Sequence, residues 1–386
     1  MIIKEYRKSI EGYSELEKEI QVLKKHDGDY ALYGGKVSDT IDLYHPKRLS
    51  LKITGISQDT PSAKTFKLVS TKNYLPPFQA GQYINLFVEV DNVRTSRAYS
   101  IASPPNQSGY YEITVRRVND GFVSNYMLNE VKVGDTFESS SPSGYFNYNP
   151  LFHGNDLVFL AGGSGITPFM SMIREVTDCG LNRRIHLIYG SRDEGDIIYR
   201  EELNKIADQN DNLTVSFVIS EPPSGYKGLT GFITSDLMDK LLDNLPDKMF
   251  YICGPEVMYN FCMPELEKMN ILQRKIRCEV MGQAENITAQ PGWPDAVKAD
   301  TKVQVKIRGK KTISVASGEP LLNSLERNGM VVPVNCRSGE CSICRIKLLS
   351  GRVFQPANAK IRESDRKYGY IHSCSAYPLE NLEILI

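Results

Sequence analysis

The first regular pattern in the chain is a series of short runs in which apolar and polar residues alternate, from Lys52 to about Ser141. Tyr83–Val88 and Tyr111–Val115 are two of these runs, and prolines and glycines separate them, as at Pro104-Pro105. Alternation places every second side chain on one face of a strand. Because short strands with turn signals between them are typical of antiparallel sheets, the pattern predicts an antiparallel barrel or sandwich.

The pattern changes at Asp156, where strand-like and helix-like runs begin to alternate. Leu157–Ala161 reads as a buried strand, and a glycine-rich loop and the helical stretch Phe169–Val176 follow it. Further strand-like runs occur later in this region, at residues 185–189, 213–219 and 250–253. Strands that alternate with helices predict a parallel α/β sheet with helices on its faces.

A segment without periodicity, residues 282–300, contains the sequence Pro291-Gly292-Trp293-Pro294 and reads as a linker. The rest of the chain after it forms a small domain. The predicted boundaries are 47–150 for the barrel, 151–281 for the α/β domain, 282–300 for the linker and 301–386 for the small domain.

The extension of residues 1–46 carries one amphipathic helical pattern. Its apolar residues recur at steps of three and four, which places them on one stripe of a helix: Tyr6, Ile10, Tyr13, Leu16, Ile20 and Leu23. The stripe is expected to pack on the protein's own body. A role as a dimer or docking element stays open, because the stripe spans fewer than three heptads, which is too short to argue a coiled coil.

Composition and charge limit the classes of function. Lysine plus arginine equal aspartate plus glutamate at 46 each, so bulk charge favours neither nucleic acid nor membrane as a partner. No apolar run reaches the length of a membrane span, and Met1–Glu5 becomes charged too early for a secretory signal. Eight cysteines in 386 residues are too few for a disulfide scaffold. A reducing, cytoplasmic location is therefore predicted.

Four cysteines near the C-terminus carry the most specific chemistry. Their spacing, C-x4-C-x2-C followed by a distant cysteine, is that of plant-type [2Fe–2S] sites: Cys336, Cys341, Cys344 and Cys374. Ser338 and Gly339 are small enough for the tight turn that wraps three thiolates around one side of a cluster. The alternatives are a zinc site or free core thiols, but zinc ribbons use paired cysteine knuckles and this pattern has one.

Two motifs in the barrel region are candidates for a flavin site. Arg97-Ala98-Tyr99-Ser100 supplies an arginine for a phosphate, an aromatic ring for a flat ligand face and a hydroxyl for its edge. Gly121-Phe122-Val123-Ser124 stands at a predicted helix start, where backbone N–H groups favour anions. In isolation the first motif is equally compatible with an ordinary strand and a salt-bridged arginine.

Two further motifs are candidates for a nicotinamide nucleotide site. The first follows a strand and precedes a helix: Gly162-Gly163-Ser164-Gly165-Ile166-Thr167-Pro168. Such a loop can bring phosphates and ribose to a helix N-terminus, although it is not the G-x-G-x-x-G fingerprint and a tight connection would look the same. The second motif, Cys253-Gly254-Pro255, also lies at a strand end. Cys253 is either a buried small hydrophobe or a neighbour of the nicotinamide.

Taken in order, these motifs resemble the ferredoxin-NADP⁺ reductase superfamily, in the arrangement of flavin domain, nucleotide domain and C-terminal plant-type ferredoxin. The resemblance covers roughly residues 47–386. It implies a β-grasp (α+β) fold for the small domain and assigns three sets of site residues: flavin to Arg97, Tyr99, Ser100, Gly121 and Ser124, nicotinamide nucleotide to Gly162, Gly163, Gly165, Thr167, Pro168, Cys253, Gly254 and Pro255, and the cluster to the four cysteines.

The resemblance also implies where the chemistry occurs. Tyr99, Ser100 and Cys253 are the candidate catalytic residues. One departure from the family pattern is notable: many relatives end the nucleotide domain with an aromatic residue that stacks on the flavin, whereas here Cys278-Glu279-Val280-Met281 runs into the linker.

The cofactor expectations follow. FAD is favoured over FMN, because Gly121 and Ser124 provide a turn suited to a pyrophosphate. NADH is favoured over NADPH, because Ser220-Glu221 places a carboxylate where NADP-selective relatives hold the 2′-phosphate. Arginines and a lysine near this place in the sequence could still hold that phosphate: Arg192, Arg200 and Lys227.

The predicted function is an NAD(P)H-dependent reductase that passes electrons through flavin and a [2Fe–2S] cluster to a separate terminal oxygenase or hydroxylase protein. Two alternatives remain open. The same relay could serve an oxygen-independent corrinoid or metalloenzyme. The chain could instead be a redox-sensing interaction module.

Overall fold

The computed structural model describes residues 11–26, 35–279, 282–284 and 286–386. Two compact units make up the chain, Met1–Lys47 and Arg48–Ile386. Within the described part of the chain, no helix combines the length and the apolar character needed to cross a bilayer.

The N-terminal unit contains two described helices, α1 (Tyr13–His26) and α2 (Lys36–Tyr44). The apolar stripe predicted for this region lies partly on α1, and three of its residues are exposed there: Leu16, Ile20 and Leu23. The other two predicted stripe residues before α1, Tyr6 and Ile10, lie outside the described residues. Helix α2 likewise has no buried residue.

The larger unit begins with a six-stranded antiparallel sheet in the order β4-β3-β6-β1-β2-β5. Its strands are β1 (Leu49–Thr60), β2 (Ala63–Ser70), β3 (Tyr83–Val90), β4 (Val93–Ser100), β5 (Tyr111–Arg116) and β6 (Thr136–Ser139). The two outer strands meet through an antiparallel bridge between Ile101 and Ile113, which closes the sheet into a barrel. Helix α3 (Phe122–Asn129) contributes Val123, Met127 and Leu128 to the barrel core. The predicted antiparallel barrel is confirmed.

The second sheet is parallel throughout, in the order β10-β9-β8-β7-β11-β12. Its strands are β7 (Asp156–Gly162), β8 (Arg184–Ser191), β9 (Leu213–Ile219), β10 (Leu229–Thr230), β11 (Met249–Cys253) and β12 (Ile276–Glu279). Its helices are α4 (Ile166–Asp178), α5 (Arg200–Gln209), α6 (Ser235–Leu241) and α7 (Glu256–Lys268). Apolar clusters cover the sheet, and β7 and β11 are buried on both faces.

The strand order reverses between β7 and β11, because β7 also pairs with β8, its successor in the chain. In open parallel sheets, ligands bind outside the carboxyl ends of the strands at such a switch point. The glycine-rich loop follows β7 and the Cys253-Gly254-Pro255 motif follows β11. The topology therefore brings both predicted nucleotide motifs to one edge of the sheet.

The third domain is a mixed five-stranded sheet in the order β14-β13-β19-β15-β17. Its strands are β13 (Lys302–Ile307), β14 (Thr312–Ala316), β15 (Arg345–Ser350), β17 (Tyr370–His372) and β19 (Leu382–Leu385), and a small second sheet pairs β16 (Val353–Phe354) with β18 (Tyr377–Pro378). Helix α8 (Leu321–Arg327) packs on the sheet through its leucines, and α9 (Glu363–Lys367) precedes β17. A helix across a mixed sheet is the α+β arrangement that was predicted.

The described part of the predicted linker, residues 282–284 and 286–300, contains a 3-10 turn at Ile287–Ala289 and no helix or strand. It is nevertheless packed, since Ile287 and Trp293 form a buried cluster with Phe354 and Tyr377 of the third domain. The indole N–H of Trp293 also donates to the carbonyl of Val297. The segment thus carries part of a core, although it lacks the periodicity by which cores are recognised in a sequence.

Candidate functional site

The four predicted cluster cysteines come together at one end of the third domain. The Sγ atoms of Cys344 and Cys374 are 3.2 Å apart, and the backbone N–H groups of Ser338 and Cys341 point at the Sγ of Cys336 from 3.5 and 3.4 Å. Hydrogen bonds from the Cys341 and Cys374 thiols, and from Ser338, lower the pKa of the Cys336 thiol. Backbone N–H groups directed at a thiolate suit an iron–sulfur ligand, because they stabilise its negative charge.

The conformation of this loop depends on three residues with positive φ: Arg337 at 56°, Gly339 at 80° and Ser342 at 60°. A side chain at Gly339 would meet Ala359 and Ser375. Within the described residues, no three His, Cys, Asp or Glu side chains surround one shared metal-ion position. A two-iron cluster differs from such a site, since its four thiolates are divided between two irons. The donor set and the N–H groups fit the cluster.

The first predicted flavin motif lies on β4, near the end of the strand. The guanidinium of Arg97 donates to Thr95 Oγ1 at 3.0 Å and to the Ser96 carbonyl at 2.7 Å, and it forms no ion pair with any described residue. Burial and the neighbouring Arg337 lower the pKa of Arg97 to about 10. A partly buried cation without a carboxylate partner fits the phosphate of a flavin.

Of the other two flavin residues in this motif, Tyr99 is partly buried and Ser100 is buried. Burial raises the pKa of Tyr99 to about 12, so its phenol remains neutral at physiological pH. Ser100 is buried and lies at the junction between the barrel and the parallel sheet, since its hydroxyl is 3.5 Å from the carboxylate of Glu279.

The second flavin motif forms the turn into α3. Ser124 Oγ accepts from the backbone N–H of Val118 at 3.2 Å and donates to the Gly121 carbonyl at 3.4 Å. A side chain at Gly121 would overlap the Ser124 hydroxyl and the Val118 carbonyl. Gly121 and Ser124 therefore shape this turn, which leaves backbone N–H groups of α3 as the donors for an anion.

The glycine-rich loop is a 3-10 turn, Gly163–Gly165, that leads into α4 at Ile166. Thr167 Oγ1 donates to the Ser164 carbonyl at 2.8 Å, and Tyr189 donates to the Gly163 carbonyl at 2.8 Å. Pro168 is buried in the first turn of α4, where its missing N–H costs no helical hydrogen bond. These bonds hold the loop in shape at the switch point.

The glycines also let the ends of β7 and β11 approach each other. A side chain at Gly165 would overlap the Cys253 carbonyl, and one at Gly162 or Gly254 would meet the sulfur of Met258 at 2.6 Å. Pro255 caps α7 at its N-terminus. The close approach of the strand ends is a packing reason for these glycines in addition to any contact with a nucleotide.

Cys253 is buried at the end of β11, and burial raises the pKa of its thiol well above the ordinary value. Glu279 raises that pKa further. The thiol is therefore neutral and is not poised as a nucleophile. Its surroundings suit a small packing group beside a flat ligand.

A buried carboxylate beside Ser100 is the main functional candidate that the motifs did not include. Glu279 ends β12, where it is 6% exposed. Burial, and then the charge of Glu340 in the cluster loop, raise the pKa of Glu279 to about 8, against a smaller lowering by Ser100. The sequence offered one signal, because Glu279 belongs to the run that stands where relatives carry an aromatic residue.

Arg116 was also missed. It leaves the barrel at the end of β5 and forms an ion pair with Asp196. A side chain at Gly163 would overlap the guanidinium of Arg116, so this cation lies directly against the glycine-rich loop. A cation at this position is suited to the phosphates of a nucleotide, but nothing in its local sequence distinguishes it from Arg117.

Of the residues considered for nucleotide selectivity, Arg192 follows β8 and Ser220-Glu221 follows β9, whereas Arg200 begins α5 and Lys227 lies between β9 and β10. Arg192 faces Glu221 at 3.8 Å, and both side chains are exposed. Arg200 is paired with Glu194. Both arginines that could have held a 2′-phosphate therefore have carboxylate partners.

Comparison with known families matches three domains in the order barrel, parallel sheet and third domain. An oxidoreductase FAD-binding domain covers residues 47–148, an oxidoreductase NAD-binding domain covers 159–263, and a 2Fe-2S iron-sulfur cluster binding domain covers 305–379. The chain is thus an oxidoreductase that binds FAD, NAD and a 2Fe-2S cluster.

Similar proteins extend over most of the chain. The glycine betaine monooxygenase reductase subunit of Pseudomonas aeruginosa is 28% identical over 337 residues, which covers 84% of this chain and 91% of that protein. The NADH oxidoreductase HCR of Escherichia coli is 28% identical over 335 residues, with 86% and 96% covered. The structure of phthalate dioxygenase reductase matches with a TM-score of 0.66 at 24% identity, covering 88% of this chain and 98% of that one.

The order of the three domains makes the chain a member of the ferredoxin-NADP⁺ reductase superfamily with a C-terminal [2Fe–2S] domain.

Proposed function

We propose that this chain is the reductase component of an oxygenase system, in which electrons from NADH pass through FAD and the [2Fe–2S] cluster to a separate terminal oxygenase. The observation that carries the proposal is the direct contact of the barrel with both of the other domains. Ser100 of the flavin strand meets Glu279 of the nucleotide domain. On the other side, Asn85 of the barrel donates to the Val334 carbonyl, just before the first cluster cysteine, at 3.1 Å.

In this proposal, the residues of the chain bind and orient the cofactors. Arg97 and the N-terminus of α3 hold the phosphates of FAD, while Tyr99 and Ser100 adjoin its ring. The loop of Gly162, Gly163, Gly165, Thr167 and Pro168, with Cys253, Gly254 and Pro255 across the switch point, holds the nicotinamide nucleotide. The four cysteines hold the cluster. Flavin, when bound, converts a two-electron donor into a supply of single electrons.

Glu279 would add a proton-holding group at the junction. Its raised pKa favours the protonated carboxyl at neutral pH, and one of its oxygens accepts a hydrogen bond from the Ser100 hydroxyl at 3.5 Å. A protonated Glu279 makes a neutral pair with Ser100. The flavin edge beside this pair can then carry charge without a buried negative carboxylate next to it. Burial around Ser100, Cys253 and Glu279 also keeps bulk water from this edge.

The names of similar proteins support an oxygenase as the acceptor, since relatives include reductase components of glycine betaine monooxygenase and 3-ketosteroid-9-alpha-monooxygenase. The test mixes the full chain, NADH and the purified terminal component of one of these two systems. We expect oxygen consumption that requires all three. If neither terminal component accepts electrons while the chain still reduces a corrinoid protein, the oxygenase assignment is refuted.

A further inference from the structure

A single arginine of the cluster loop reaches into the barrel. Arg337 directly follows the cluster ligand Cys336, yet its side chain is only 3% exposed. Its backbone has a φ of 56°, in the left-handed region that a residue with a side chain rarely adopts. A long cation in this conformation is expected to persist only where its side chain is held firmly.

The contacts that hold it come from two domains. From the barrel, Thr95 Oγ1 accepts from Arg337 Nη2 at 3.0 Å and Ser96 Oγ accepts from Nε at 3.3 Å. From α8 of the third domain, Glu326 forms an ion pair with Arg337, and its other oxygen accepts from Thr95 Oγ1 at 2.9 Å. We call Arg337, Glu326, Thr95 and Ser96 the Arg337 network. Within this network, Arg337 and Glu326 of the third domain each form a hydrogen bond with the barrel: Arg337 with Thr95 and Ser96, and Glu326 with Thr95.

The Arg337 network lies next to the flavin motif on the barrel. Thr95 and Ser96 directly precede Arg97 on β4, and the same strand then carries Tyr99 and Ser100. The network therefore joins the backbone of the cluster loop to the strand that carries the flavin motif. This connection is direct, because the Arg337 side chain itself bonds to Thr95 and Ser96.

Other contacts dock the third domain independently of Arg337. Asn85 holds the Val334 carbonyl, and Asn335 donates to Ser143 Oγ at 2.9 Å. Phe87 of the barrel packs against the apolar core of the third domain and adds an apolar attachment. Removal of Arg337 is therefore expected to leave the domain attached while it releases the part of the loop that bears Cys336 and Cys341.

We propose that Arg337 is a positioning residue that fixes the cluster relative to the flavin, and that the rate of single-electron transfer between them depends on the Arg337 network. This inference rests on the proposed function. The step it concerns is the passage of one electron from reduced flavin to the oxidised cluster. Arg337 contributes the geometry of that step.

The principal test compares R337M and R337K with the matched control R327M. Arg327 is a neighbouring arginine of α8 that is exposed and is paired with Glu319 of the same domain. Anaerobic stopped-flow absorbance with NADH follows flavin reduction and cluster reduction separately. We expect R337M to reduce its flavin within twofold of wild type but to reduce its cluster about 10-fold to 100-fold more slowly. R337K, which keeps the charge but loses the fork of donors, should lie between, and R327M should match wild type.

A second measurement does not depend on turnover. Hydrogen–deuterium exchange of residues 93–97 and 331–341 should be faster in R337M than in R327M, both in the protein as isolated and after removal of the cofactors. Unchanged exchange together with an unchanged rate of cluster reduction would overturn the inference.

If R337M does not assemble its cluster, E326Q decides the matter, because Glu326 lies on α8 and removing its charge leaves the loop sequence intact. Cluster reduction slowed relative to R327M supports the inference, and a rate equal to that of R327M refutes it. The proposed function is judged separately, by whether the wild-type cluster is reduced by NADH at all.

Discussion

The buried carboxylate at the junction of the barrel and the nucleotide domain gives a prediction whose magnitude follows from the structure. The perturbation is E279Q, which keeps the shape of the side chain and removes its titration. Burial and the charge of Glu340 raise the pKa of Glu279 from 4.5 to about 8. A displacement of this size corresponds to an upper limit of about 5 kcal/mol between the folded and unfolded states.

The sign of the pH dependence follows from proton binding. Between pH 4.5 and about 8, the unfolded chain has lost the proton of Glu279 while the folded chain retains it. The folded state then binds more protons, so this group makes the protein less stable as the pH rises through that window and makes no further change above it. E279Q lacks the effect, so its stability relative to wild type should increase from pH 5 to pH 8.5.

The assay is urea unfolding of wild type, E279Q and the control E267Q at several pH values. Glu267, an exposed glutamate of α7, is the control for the loss of one carboxylate elsewhere on the same domain. We expect the free energy of unfolding of E279Q, relative to wild type, to rise by about 2–5 kcal/mol across the window. A difference between E279Q and wild type that does not vary with pH would show that Glu279 titrates normally, and the proton-holding role would then fail.

Three further predictions concern the cofactor sites. C341S should lose most of the visible absorption and iron of the cluster and retain its flavin, because a serine alkoxide binds iron more weakly than a thiolate. The control C179S, at an exposed cysteine outside the cluster, should retain both cluster and flavin. A C341S spectrum equal to that of C179S would contradict the cluster assignment. NADH should have a higher kcat/KM than NADPH. E221Q should lower the ratio of the NADH value to the NADPH value, because it removes a charge that repels the 2′-phosphate. A higher kcat/KM for NADPH than for NADH in the wild type would contradict this prediction. A chain that ends near Ala289 should keep ferricyanide reduction and lose most cytochrome c reduction. Its melting temperature should be lower, because the barrel loses the packing of the third domain. Equal loss of both activities would show that the third domain is needed to fold the rest of the chain.

Much of the architecture could be predicted from local patterns. Alternation along β3 and β5 identified the antiparallel barrel, because one face of each strand packs into a single core. The buried strands β7 and β11, each followed by a glycine and a helix, identified the parallel sheet. The cysteine spacing was informative for a different reason, since a cluster fixes its ligands to a short loop.

The parts that escaped prediction depend on contacts between distant segments. Arg337 was one residue in a cysteine loop, and its partners Thr95 and Ser96 lie more than two hundred positions earlier. Glu279 is a candidate site residue only because β12 ends beside Ser100 of another domain. No periodicity or spacing encodes such pairings. The linker was likewise predicted from its lack of periodicity, whereas Trp293 packs in a buried cluster with residues of the third domain.

The central claim, that electrons from NADH reach the cluster through the flavin, is tested most directly by rapid-freeze electron paramagnetic resonance of the full chain. One equivalent of NADH is mixed anaerobically with oxidised protein, and the signal of the reduced cluster is followed beside the flavin absorbance. The account predicts that flavin absorbance falls first and that the cluster signal then rises at the expense of reduced flavin. A cluster that stays oxidised while the flavin is fully reduced, or a cluster signal that precedes flavin reduction, would contradict it.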